Sequence, residues 1–69
     1  MHERQITLKA SDLRRGDILR MTSDSLRIEE DPIHDRGRVQ IRARSAKEAG
    51  GIVRRSYLAS ATFRVERDA

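Results

Sequence analysis

The chain has 69 residues, with 15 basic and 11 acidic side chains for a net charge of +4, and it has no cysteine. That length makes one domain, 1–69, near the lower limit for folding without staples. The missing thiols exclude disulfides and thiolate metal sites and favour a reducing cytoplasm.

The large apolar side chains suffice for one small core. They cannot also line a deep substrate pocket, so an enzyme is disfavoured on volume. Self-association would add burial, so a homodimer is a reasonable expectation. No apolar run approaches the ~20 residues of a membrane span. The start, Met1-His2-Glu3-Arg4-Gln5, has no apolar stretch behind it, so no signal peptide is expected and the chain is expected to be a complete reading frame. Residues 1–4 and 67–69 are expected to be tails.

In chain order, Ile6 and Leu8 alternate with Thr7 and Lys9, a short first strand. Ala10 to Gly16 fits a single helical turn, with Ser11 able to cap its start and Gly16 able to supply a left-handed stop. Arg15-Gly16-Asp17 spells a cell-adhesion tripeptide, but here Gly16 punctuates a turn and Asp17 opens the next strand, Asp17–Met21. Thr22–Ser25 is a polar turn. Leu26–Glu29 alternates as a third strand with Leu26 and Ile28 inward. Pro32 forbids a central strand at its position, so 30–37 is expected as a long connection in which Gly37 takes positive φ.

Arg38–Arg44 is the clearest element. Val39, Ile41 and Ala43 point one way, and Arg38, Gln40, Arg42 and Arg44 the other, as in a half-buried strand. Ser45–Glu48 fits a capping box, so one helical turn or a flexible loop is expected before Gly50-Gly51. Ile52–Leu58 is a fifth strand of open register, since its apolar residues do not alternate strictly. Tyr57–Ala61 turns tightly, and Thr62–Glu66 alternates with Phe63 and Val65 inward. The expected core is Leu8, Ile18, Leu26, Ile28, Val39, Ile41, Phe63 and Val65. Residues 30–36 and 46–51, which lack period-two patterning, are the expected mobile loops.

The stretch Asp12-Leu13-Arg14-Arg15-Gly16-Asp17-Ile18-Leu19-Arg20 resembles the L-x-x-G-D-x-(apolar) opening of many SH3-like small barrels. Arg55–Val65 resembles their last hairpin with its short helical turn. The resemblance spans residues 10–66 and implies a fold rather than an activity. The expected class is therefore all-β, a five- to six-stranded antiparallel SH3-like barrel with one or two single helical turns. Closure would remove edges that so small a sheet could not otherwise protect. One Phe and one Tyr are too few for an aromatic-lined peptide groove of the SH3 type.

No catalytic constellation stands out. Asp31, His34 and Asp35 are the only tight titratable cluster that includes a histidine, and a solvated loop at a Pro turn explains them better than a metal site does. No serine sits in an elbow motif, and Gly50-Gly51 lacks the pattern of a phosphate loop. No cofactor is implied. The arginines differ in kind. They are 13 of the 15 basic residues, a bias that GC-rich coding would also produce, and the second half of the chain is distinctly basic. Arg38, Arg42 and Arg44 share an outward parity, Arg64 joins them from the last strand, and Arg54 or Arg55 from the fifth, depending on register. Such a face could track phosphates. It could equally be a solubilising charged surface. Two functions follow as expectations. One is non-sequence-specific nucleic-acid binding through this face. The other is a protein-interaction or self-assembling accessory factor, of the kind phages or plasmids encode, that docks on an acidic protein surface.

Overall fold

The alternation of residues 38–44 persists in three dimensions: every second side chain from Val39 to Ser45 is buried and those between are exposed. The computed structural model describes residues 3–47 and 51–68. Its elements are β1 (Glu3–Lys9), a 3₁₀ turn (Ala10–Asp12), β2 (Ile18–Arg20), β3 (Ser25–Ile28), β4 (Ile33–Asp35), β5 (Arg38–Ser45), β6 (Ile52–Leu58) and β7 (Thr62–Asp68). All seven strands join one antiparallel sheet, curled into a half-barrel.

β5 organises the sheet. One side pairs with β6 along seven residues, and the other is shared between β3 at its C-terminal end and β4 at its N-terminal end. Beyond β3 the order continues β2, β7, β1. Backbone bonds from Ala10 N–H to Ala61 O (2.7 Å) and from Ser11 N–H to Ala59 O (3.2 Å) tie the 3₁₀ turn to the β6–β7 turn. The core comprises Ala10, Leu13, Leu19, Leu26, Ile28, Val39, Ile41, Ala43 and Val65, with Ile6, Leu8, Val53, Tyr57, Ala59 and Phe63 half-buried against it.

Several expectations change. In β2 the inward residue is Leu19, not Ile18, because Leu19 lies between Leu26 and Val65 while Ile18 lies between Arg27 and Glu66. Leu8 and Phe63 are only half-buried. The connection expected at 30–37 contains β4, which makes seven strands among the described residues. β4 reaches β5 through Arg36-Gly37, both at positive φ (51° and 75°), the geometry of a two-residue type I′ hairpin turn.

The second expected helical turn is absent at its start. Ser45 ends β5, is buried and donates its hydroxyl to Asp24 at 2.5 Å. The rest of that expected loop, 48–50, lies outside the described residues. Ser11 sits inside the 3₁₀ turn instead of capping it, and no side chain caps the start of that turn.

The expected tails pair instead. Glu3 faces Asp68 and Arg4 faces Arg67 at the end of the β1–β7 ladder. Residues 1, 2 and 69 lie outside the described residues. Arg67 forms a two-pronged ion pair with Asp17, Nε to Oδ1 at 2.8 Å and Nη2 to Oδ2 at 2.7 Å. Asp17 also accepts the Arg14 N–H at 2.8 Å, and Arg67 donates to Asp12 O at 3.1 Å. Because Asp17 is buried, the Arg15-Gly16-Asp17 tripeptide offers no free carboxylate.

Candidate functional site

Residues directly opposite in an antiparallel ladder share a face. On the convex face of the half-barrel this rule sets arginine against arginine three times: Arg64 against Arg20, Arg44 against Arg27, and Arg42 against Arg54. The strands involved, β7, β2, β3, β5 and β6, are successive neighbours. Four spacings of ~4.8 Å carry this diagonal band about 19 Å across the strands.

One member of each pair meets a glutamate. Arg20 Nη2 lies 2.5 Å from Glu66 Oε2, an ion pair not aligned as a hydrogen bond. Arg44 Nε donates to Glu29 at 2.8 Å and Arg42 Nη1 to Glu30 at 3.2 Å. The other members, Arg64, Arg27 and Arg54, are exposed and have no acidic partner among the described residues. Three guanidinium charges therefore stand beside a second guanidinium without a counter-charge of their own.

Of the six arginines expected on this face, Arg42, Arg44, Arg54 and Arg64 belong to the band. Arg38 is exposed on the same face but is committed to Ser56, with Nε donating to Oγ at 3.0 Å and Nη2 to the carbonyl at 3.2 Å. Arg55 lies opposite Ile41, which fixes the register that the sequence left open and puts this residue on the concave side. Arg20 and Arg27 were missed. Placing Ile18 inward gave Arg20 the wrong parity. Arg27 had visible outward parity between Leu26 and Ile28, but nothing local shows that β3 neighbours β5. Asp31, His34 and Asp35 do not converge: His34 lies opposite Val39 and Asp35 opposite Arg38, on opposite faces of β4.

A second feature lies at the open mouth of the half-barrel. A groove of about 730 Å³ runs between the β2–β3 turn, β6 and the start of β7. On it the two aromatic rings, Tyr57 and Phe63, meet edge to face, with centroids 4.7 Å apart and planes at 66°. Burial pushes the Tyr57 hydroxyl's pKa above its ordinary value, with nearby Arg55 opposing. Arg55, Arg64, Arg20 and Lys47 line the same groove. Asp24, the one acid among its described lining residues, is engaged by the Ser45 hydroxyl and by the N–H groups of Ser25 and Lys47. These bonds, the hydroxyl first, hold its carboxyl below the usual range.

No protein-family model, curated protein or solved structure matches the chain.

Proposed function

We propose that this protein is a cytoplasmic binding module rather than an enzyme, and that its convex face holds a nucleic-acid backbone without reading sequence. The three arginine-on-arginine rungs carry this reading. Like charges directly opposite in a sheet are destabilising, by roughly 0.2–1 kcal/mol each. A phosphate lying between two guanidiniums replaces that repulsion with charge-assisted, bidentate hydrogen bonds. Glu29 and Glu30 compete weakly, because ion pairs open to water are worth little, whereas Glu66, only 11% exposed, holds Arg20 more firmly. We further read the fold as SH3-like. The meander β2-β3-β5-β6, with β7 returning beside β2, supports that assignment.

Binding of labelled DNA and RNA across a salt series tests the proposal. A slope of log K against log salt of about −3 is expected if three phosphates are held on duplex DNA, and about −5 if all six arginines engage. Arg27→Gln, Arg54→Gln and Arg64→Gln should each weaken binding alike across sequences and flatten the slope by about one. Arg38→Gln should change the slope least, since Arg38 lies off the three rungs and directly opposite Asp35. Absence of binding to either polymer at low salt overturns the reading. Co-purification of an acidic protein, lost on Arg27→Glu and Arg54→Glu, would promote docking on a larger protein in its place.

A further inference from the structure

We infer that the groove at the mouth of the half-barrel accepts an unstacked base, so that the preferred ligand is single-stranded nucleic acid. This deepens the phosphate-binding reading of the arginine band and rests on it. Composition alone argues against stacking, with one Tyr and one Phe in the whole chain. The fold brings these two together. Phe63 supports Tyr57 edge to face, and both rings stay half-exposed in a groove whose cations are Arg20, Lys47, Arg55 and Arg64. Asp24, the acid among the groove's described lining residues, accepts from Ser45, Ser25 and Lys47 and interacts with the Lys47 charge, so Arg55 and Arg64 keep no acidic partner among the described residues.

The ligand that complements this groove is a planar ring attached to an anion. Arg64 and Arg20 belong both to the groove and to the first rung of the convex band. A strand crossing the band therefore arrives at the groove over Arg20 and Arg64, where one base can turn in against Tyr57 while its phosphate stays on the arginines. Duplex DNA cannot do this without losing a base pair and its stacking. Stacking on an aromatic ring tolerates any base, because every base has a π-face.

The chain has one Tyr and no Trp, so its intrinsic fluorescence reports this groove directly. Wild-type protein is titrated at low salt with an eight-nucleotide oligothymidylate and with a duplex of equal length. The single strand is expected to quench Tyr57 emission by more than half at saturation, and the duplex is not. In anisotropy measurements on labelled oligonucleotide, Tyr57→Phe should keep single-strand affinity and Tyr57→Leu should lose about tenfold, with duplex affinity unmoved in both. Tyr57 contacts the core, so thermal melts accompany each variant, and the wild-type quenching stands independently of whether they fold. If single strand and duplex bind alike with no quenching, or Tyr57→Leu binds like its parent, the groove assignment is overturned and the arginine band remains. If neither polymer binds, both fall.

Discussion

Arg67 shows how far a single residue can lie from what its neighbours in sequence suggest. It is the third residue from the end, between Glu66 and Asp68, and it resembles the solvated end of a charged tail. Its partner is Asp17, fifty residues earlier, whose carboxylate is buried and holds both the guanidinium and the Arg14 N–H. The ion pair raises the pKa of Arg67 further still, chiefly through the Asp17 hydrogen bonds, so it stays charged at every accessible pH. Removing one partner of a buried pair leaves the other uncompensated, a loss of ~3–5 kcal/mol. Arg67 keeps some contact with water, so the lower end applies. Arg67→Met should cost on the order of 3 kcal/mol in urea unfolding, a large part of what so small a domain has. Replacing both partners, Asp17→Leu with Arg67→Met, should recover only part of this, because the Arg14 N–H is then orphaned. An Arg67→Met variant as stable as its parent would return the residue to the tail. No local pattern in the sequence could have shown the pair, since it depends on β7 running beside β2.

Among the strands, legibility followed the number of alternating residues. β5 has eight, and its faces were plain in the sequence. β2 has three, with Ile18 and Leu19 adjacent and one of them obliged to face out, and only the pairing with Leu26 and Val65 decides which. β4 is short, wholly exposed and preceded by Pro32, so it carries no pattern at all.

β6 is the strand whose chemistry its register explains. Ser45 N–H bonds Gly51 O and Ala59 N–H bonds Gly37 O, so the odd-numbered residues 51–59 face β5. Ile52, Arg54, Ser56 and Leu58 then aim their backbone groups off the open edge. Three of those carbonyls are occupied: Arg54 O by Arg55 at 3.1 Å, Ser56 O by Arg38 at 3.2 Å and Leu58 O by Ala61 N–H at 3.0 Å. An unguarded edge invites pairing with another chain. Arg38 and Arg55, which fall outside the convex band, are thus placed to cover that edge. The double variant Arg38→Ala/Arg55→Ala should melt within about 0.5 kcal/mol of its parent, as surface changes usually do. It should nevertheless sediment as larger species at equal concentration. Unchanged sedimentation would leave the edge protected by charge alone.

Over the whole molecule, the all-β class was legible because period-two alternation recurs along the chain. The open half-barrel and the arginine-on-arginine rungs were not, although four of the band's members were, because both depend on which strands become neighbours. That arrangement fixes how stability should respond to salt. The net charge of +4 and the three arginine rungs make the free protein self-repelling on its convex face. Added salt screens this repulsion within a Debye length of ~10 Å at 0.1 M. The Tm of the free protein should therefore rise modestly from 20 to 200 mM salt. If an oligonucleotide binds as proposed, the sign reverses. At a hundred times its Kd it stabilises the fold by ~2.7 kcal/mol. For a domain of this size each kcal/mol shifts Tm by roughly 4–8 °C, so about 10–20 °C is expected at low salt. Salt releases the ligand, so this gain should fade as the free protein gains, and the two melting curves should converge from opposite directions. A free-protein Tm that falls with salt would mean that Glu29, Glu30 and Glu66 outweigh the rungs. The convex face would then be balanced by its own carboxylates, and the case for a phosphate ligand would be lost.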